Sequence, residues 1–298
     1  MASGLDVIAS PGTESLGYPM PWQVYDWVPS VAPLYPEWWA YEREFDGNAA
    51  SDDLKEWYLP LLAVVLPLYL LGVFGGKAVM ANRKAFDLKT PLLVWNIFLA
   101  LFSTAGFLRI FPHFILTLVD RGLYFSMCAQ PAHSFGNGPS GLWTYLFILS
   151  KVPELIDTAF IVLRKKKLIF LHWYHHVTVL SFSLHVYAYR ESPGLYWAGM
   201  NFLVHALMYS YYALTALGFR PPWALAITLL QIAQMIVGLI VSGFVVYYKY
   251  VAQRECNHTY HSLAMSIAIY GSYFILFVSF FVKRYLYPSK KKSVKKTQ

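Results

Sequence analysis

Long apolar runs dominate this chain and leave it few architectures. They recur about seven times, near 58–76, 91–118, 142–163, 168–189, 195–217, 223–248 and 262–283, against the roughly 20 residues a helix needs to cross a bilayer. A helix satisfies its backbone N–H and C=O groups internally, which hydrocarbon demands. The runs therefore predict an all-α polytopic membrane protein with seven transmembrane helices. Composition agrees: 57% of the 298 residues are hydrophobic and 13% charged, where soluble domains carry roughly 25% charged residues. The second run is long and contains Pro112, which predicts a break there into a span and a re-entrant end.

The net charge of +8 is unevenly spread. Ten of the 16 acids fall in residues 1–57, a Pro- and aromatic-rich arm with Trp22, Trp27, Trp38 and Trp39, and seven of the 24 bases fall in residues 283–298. A cytosolic C-terminus puts sixteen bases on the cytosolic side (Lys77, Arg83, Lys84, Lys89, Arg164 to Lys167, Arg220 and the tail) and six on the other. That positive-inside bias places the N-terminus in the lumen or outside, and it reads as topology rather than a nucleic-acid surface. Residues 1–30 show no basic n-region with an apolar core, so no cleavable signal peptide is expected. The chain divides into the luminal arm (1–57), a membrane domain (58–287) and a cytosolic tail (288–298).

Cys128 and Cys256, the two cysteines, both fall in connections on the predicted non-cytosolic side, where an oxidising compartment favours a disulfide. Asn257-His258-Thr259 on the same side is a glycosylation sequon. The terminal Lys295-Lys296-Thr297-Gln298 resembles the dilysine retrieval signal of the endoplasmic reticulum; a basic tail held by anionic lipid is the alternative.

Ionisable groups inside a bilayer are costly and mark function. In the third run Lys151, Glu154 and Asp157 recur at i, i+3 and i+6 with Thr158 beside them, which on one helix forms a stripe about 120° wide. A salt bridge accounts for Lys151 and Glu154 but leaves Asp157 needing a partner. The fourth run holds His172, His175 and His176 within about 100° of one face. The fifth holds Asn201 and His205 at i, i+4, with Met208, Tyr209 and Tyr212 on the same face; the sixth holds Thr228, Gln231 and Gln234. Glutamines alone more often join helices than catalyse. Helical rise puts His175, Asp157 and Gln231 about 10–12 Å from the cytosolic ends of their spans, which predicts one site open to the cytosol.

Three chemistries compete. A di-iron desaturase or hydroxylase needs about eight imidazoles, and of nine histidines only His172, His175, His176 and His205 lie suitably; a single-metal site is the remnant of that reading, and no metal is expected. A seven-helix receptor or transporter fits the exterior N-terminus but not polar groups gathered in the cytosolic half, and the last run has no mid-span Lys for retinal. Acyl transfer on a lipid-soluble substrate fits, with an imidazole as nucleophile or base and an acid to orient it. Lys165, Lys166 and Lys167 at the cytosolic mouth suit a polyanionic carrier such as coenzyme A, or are simply loop charge.

The stretches Lys151-Val-Pro-Glu154-Leu-Ile-Asp157-Thr158, His172-Trp-Tyr-His175-His176, Asn201-Phe-Leu-Val-His205-Ala-Leu-Met208-Tyr209-Ser-Tyr211-Tyr212 and Thr228-Leu-Leu-Gln231-Ile-Ala-Gln234 resemble, in order and spacing, the motifs of the very-long-chain fatty acid elongases, from about residue 58 onward. The resemblance implies a 3-ketoacyl-CoA synthase of the endoplasmic reticulum membrane with acyl-CoA and malonyl-CoA as substrates and no bound cofactor. It also implies seven helices, six of them forming a barrel around a tunnel closed on the luminal side, and a luminal disulfide between the loops of Cys128 and Cys256. Partners implied are the ketoacyl-CoA reductase, dehydratase and enoyl reductase of the cycle; a homodimer stays open.

For mechanism, His175 is expected to take the acyl group as an acyl-imidazole. His205 and Asn201 polarise the malonyl carbonyl, Asp157 orients the histidines, and His172 and His176 support them. Lys151, Glu154, Thr158, Tyr209, Tyr212, Gln231, Gln234 and the three loop lysines are expected to contact substrate, with Lys151 and Glu154 structural as the alternative. A general-base role for His175 in a ternary complex is the rival. The run Leu168 to His176 resembles the branch handling saturated and monounsaturated chains, since polyunsaturated-chain members more often have Val where Trp173 stands. C16-type acyl-CoA is the expected substrate, polyunsaturated chains the alternative.

Overall fold

The computed structural model describes residues 36–287, and within them the chain is helical with no strand. The elements are α1 (Pro36–Arg43), α2 (Gly47–Ala81), α3 (Lys89–Cys128), α4 (Gly138–Ser150), α5 (Ile156–Leu163), α6 (Phe170–Ala188), α7 (Gly194–Leu217), α8 (Ala224–Val246) and α9 (Tyr260–Phe281). Among the described residues four segments are long and apolar enough to cross a membrane: Gly47–Ala81, Lys89–Cys128, Ala224–Val251 and Tyr260–Leu286. In the most apolar window of the first, only 11% is buried inside the protein. Its Leu and Val side chains need an apolar solvent, which a bilayer supplies.

Three boundaries differ from the sequence reading. α2 begins at Gly47 rather than near 58, because the Asp46 carboxylate accepts from the N–H groups of Asn48 and Ala49 and caps it. The third run is two helices: Pro153 has no N–H to continue α4, and a 3₁₀ turn over Pro153–Leu155 resets the phase before α5. α3 runs through Pro112 and instead breaks at Gly122, whose φ of 78° and ψ of 177° are open to glycine alone. Residues 1–35, with Trp22 and Trp27, and 288–298, with Lys295 and Lys296, lie outside the described residues. Of the acidic arm's described part, Glu42 is buried against α3 and α4, 3.1 Å from Arg109 and accepting from Trp143 Nε1 at 2.8 Å.

The packing of α3 on α7 fixes the antiparallel register around the site. At Gly106 a Cβ would stand 2.4 Å from the Phe202 ring, so glycine lets the helices touch. Further along, Leu99 and Ala100 pack with Tyr209.

At the end holding the α3–α4 and α8–α9 connections, Cys128 is disulfide-bonded to Cys256. Beside it, Asn257 donates its backbone N–H to Cys128 O (2.9 Å) and its side-chain amide to Arg190 O (2.6 Å). The sequon's acceptor nitrogen is thus engaged inside the fold. Glu191 accepts from Thr259 N (2.9 Å) and Ser262 Oγ (2.6 Å) and is paired with His258 Nδ1. Burial pushes its carboxyl up, but these hydrogen bonds outweigh burial and hold it below the ordinary glutamate value. At the opposite end Lys165 Nζ donates to Ala81 O and Arg83 O, both at 3.0 Å.

Candidate active site

Two cavities meet among the polar residues. The larger, about 740 Å³, is lined by His172, His175, His176, His205 and Asn201, then by Glu154, Asp157, Tyr209, Tyr212, Thr228, Gln231 and Gln234. Its lining extends to Lys166 and Arg284, both exposed, and to Arg164 beside them, so its mouth is basic. The smaller cavity is a bore of about 90 Å³ that runs from His175 past Val179, Phe182 and Val186 to Ser51, Arg190 and Glu191. Four residues, His175, Asn201, Gln234 and Met235, line both.

α6 brings its three imidazoles to the larger cavity, and His175 to the junction, because His172, His175 and His176 share a helical face. Thr158 Oγ1 is within 2.9 Å of His172 Nε2 and 2.8 Å of Tyr69 Oη, and the His172 ring lies 4.6 Å from that of His176. Thr158 therefore holds a histidine and does not line the cavity, contrary to its expected substrate contact. Among the described residues no hydrogen bond engages the His175 ring nitrogens. Its ring rests 5.0 Å from that of Tyr273, whose hydroxyl donates to His175 O at 3.2 Å. His175 is thus fixed by its backbone and neighbours while its nitrogens stay unclaimed.

The acids are arranged differently from the expected stripe. Asp157 does not touch a histidine: its oxygens accept from Trp95 Nε1 (2.6 Å) and the Tyr209 hydroxyl (2.7 Å). The Tyr209 ring, 5.4 Å from that of His205, is its only link toward the cluster among these contacts. Glu154 is the acid beside an imidazole, with Oε2 4.0 Å from His205 Nδ1. Its Oε1 accepts from Ser150 Oγ (2.8 Å) and Lys151 Nζ (2.7 Å). Lys151 is 1% exposed, also donates to Asn201 Oδ1 at 3.2 Å, and lines neither cavity. That bond identifies the Asn201 oxygen and leaves its NH₂ available as a donor at the junction.

Of the loop lysines only Lys166 lines the cavity; Lys165 is turned onto the end of α2, and Lys167 is exposed without lining it. Gln231 makes a weak contact to Met208 Sδ at 3.5 Å. Sequence reasoning missed Trp95, Tyr69 and Tyr273 as supports, and Arg164, Arg284 and Asn96 as lining groups. In the sequence Arg164 and Arg284 carry only a topology signal.

A polar-lined, basic-mouthed chamber joined at a histidine to a thin apolar bore suits a membrane enzyme whose substrate has a polar head and a long apolar tail. The profile of the ELO family, described as GNS1/SUR4 family, matches residues 54–293. Very long chain fatty acid elongase 6 of Drosophila melanogaster is 42% identical over 89% of this chain and 84% of its own length. The Homo sapiens protein of that name is 42% identical over 83% of this chain and 92% of its own. Fatty acid elongase 3 of Trypanosoma brucei brucei is 38% identical over 86% and 93%. The chain belongs to this family and is an elongase-type enzyme.

Proposed function

We propose that the protein is a 3-ketoacyl-CoA synthase that condenses a saturated or monounsaturated C16-type acyl-CoA with malonyl-CoA. The observation that carries this is the meeting of the two cavities at His175, Asn201, Gln234 and Met235. An acyl tail in the bore and a coenzyme A head in the chamber put the thioester at that junction. A His175 ring nitrogen attacks the thioester carbon; the C–S bond breaks, coenzyme A leaves as thiol and acyl-imidazole forms. Malonyl-CoA then enters and loses carbon dioxide, and the electron pair of the broken C–C bond becomes an enolate. Its carbon attacks the acyl carbonyl, the C–N bond breaks, the departing His175 nitrogen takes up one proton from solvent to restore the neutral imidazole, and 3-ketoacyl-CoA leaves. The Asn201 NH₂ and His205 stabilise the enolate oxygen as preorganised donors, with Glu154 rather than Asp157 beside His205.

In this reading seven helices cross the endoplasmic reticulum membrane, six of them forming a barrel around the tunnel, with the basic mouth cytosolic and the disulfide end luminal. The product passes to ketoacyl-CoA reductase and the remaining enzymes of the cycle. Each methylene in the bore is worth about 0.8 kcal/mol, so chain selection is graded. The test is purified protein with acyl-CoAs from C12 to C22 and malonyl-CoA, read by mass spectrometry beside His175→Ala. Ketoacyl product in the wild type only, and acyl-enzyme formed from acyl-CoA alone, are expected. Product without acyl-enzyme overturns the covalent step, and no product at any length overturns the synthase reading.

A further inference from the structure

Asn96 is a polar group of the chamber that this mechanism leaves unused. It lies in α3, outside the four motif stretches, lines the chamber, and is 2% exposed. Its Nδ2 has no hydrogen-bond partner among the described residues. A buried amide donor left unpaired is costly, and native proteins seldom keep one without a ligand or water to receive it.

The helix register tells which part of a ligand passes it. Gly106 meets Phe202, Leu99 and Ala100 pack with Tyr209, and Trp95 and Tyr209 both bond Asp157. Asn96 therefore faces the Met208–Tyr212 turn of α7. About 12 Å of helix separates Tyr209 from Asn201 at the junction, and about 10 Å separates Asn96 from Lys89 at the start of α3. Asn96 stands between the junction and the basic mouth of Arg164, Lys166 and Arg284.

We infer that Asn96 binds coenzyme A itself, donating from Nδ2 to an amide carbonyl of the pantetheine arm in both substrates. This rests on the synthase reading above. With the sulfur at His175 and the phosphates at the mouth, the arm and its two amides must cross the level of Asn96. A malonyl carboxylate or thioester oxygen stays at the junction, a turn or more of α7 too far. Asn96 is the chamber's counterpart to a feature common to both coenzyme A esters, so it does not distinguish chain lengths.

The test measures free coenzyme A binding by calorimetry, and KM for palmitoyl-CoA and malonyl-CoA, in the wild type, Asn96→Leu and the isosteric Asn96→Asp. Asn96→Leu removes the donor outright; Asn96→Asp, read at alkaline pH where the carboxylate is ionised, offers acceptors only and keeps the shape should Asn96→Leu misfold. The coenzyme A Kd and both KM values are expected to rise about 5- to 30-fold together, the cost of a buried amide oxygen left unpaired, with kcat falling less. Unchanged coenzyme A affinity in both variants, a rise in the malonyl-CoA KM alone, or a wild type that does not bind coenzyme A overturns the assignment. Asn96-dependent coenzyme A binding without any ketoacyl product sinks the synthase reading and spares this one.

Discussion

Replacing Lys151 with Met tests whether the site's frame is electrostatic. Lys151 is 1% exposed, with Nζ 2.7 Å from Glu154 Oε1, 3.2 Å from Asn201 Oδ1 and 4.1 Å from the Phe147 ring centroid. Met fills most of the same volume, so the loss is ionic rather than a cavity. Glu154 is left as a buried carboxylate with only Ser150 donating to Oε1. Breaking one side of such a pair costs about 3–5 kcal/mol. At about 2–4 °C per kcal/mol, the scaling for domains of 150–250 residues, Tm falls by about 6–20 °C. Glu154→Gln in the Lys151→Met background removes the orphaned charge and recovers most of that loss, although Glu154→Gln alone is itself destabilising. The assay is thermal unfolding of detergent-purified protein at the four corners of the cycle, with kcat alongside. Lys151→Met also frees the Asn201 amide to rotate, so kcat falls even where the protein remains folded. A double variant no more stable than Lys151→Met refutes the reasoning, because the cost would then not lie in an unpaired Glu154.

The parts of the fold that depend on local periodicity were legible. The apolar runs predict helices at 168–189 and 195–217, and α6 and α7 span Phe170–Ala188 and Gly194–Leu217. The three imidazoles of α6 reach one chamber because nothing interrupts that helix. The stripe of Lys151, Glu154 and Asp157 failed for the converse reason: a helical wheel assumes continuous phase, and Pro153 resets it, so Lys151 turns to Asn201 while Asp157 turns to Trp95. Asp157's partners come from α3 and α7, contacts that spacing within one run does not encode. Lys165 and Lys166 are alike in a charge run, yet a φ of 52° at Lys165 sends its side chain back to α2. Asn96 gave a weak signal, one amide in an apolar run, and a single residue has no period. Register between α3 and α7 supplied what periodicity lacked.

The remaining expectations concern the imidazoles, the bore and its far end. Thr158→Val removes the bond between Thr158 and His172 Nε2; kcat is expected to fall about fivefold, since one neutral hydrogen bond is worth roughly 1 kcal/mol, with an unchanged KM for malonyl-CoA, and unaltered kcat would show that His172 needs no such support. Val186→Trp narrows the bore about 16 Å along α6 from His175; C16 acyl-CoA turnover should fall while C10 is retained, and equal loss at both lengths would place the tail elsewhere. Glu191 predicts an acid limit. Its carboxyl titrates below the ordinary value of 4.5 because the bonds from His258, Ser262 and Thr259 outweigh burial. A depressed folded value means that its contribution is complete above the unfolded value and is lost as pH falls through the folded one. The Tm gap between wild type and Glu191→Gln should therefore hold steady from pH 8 to about 5 and close only in more acid solution. A gap that already closes between pH 7 and 6 would refute the placement of the charge on Glu191.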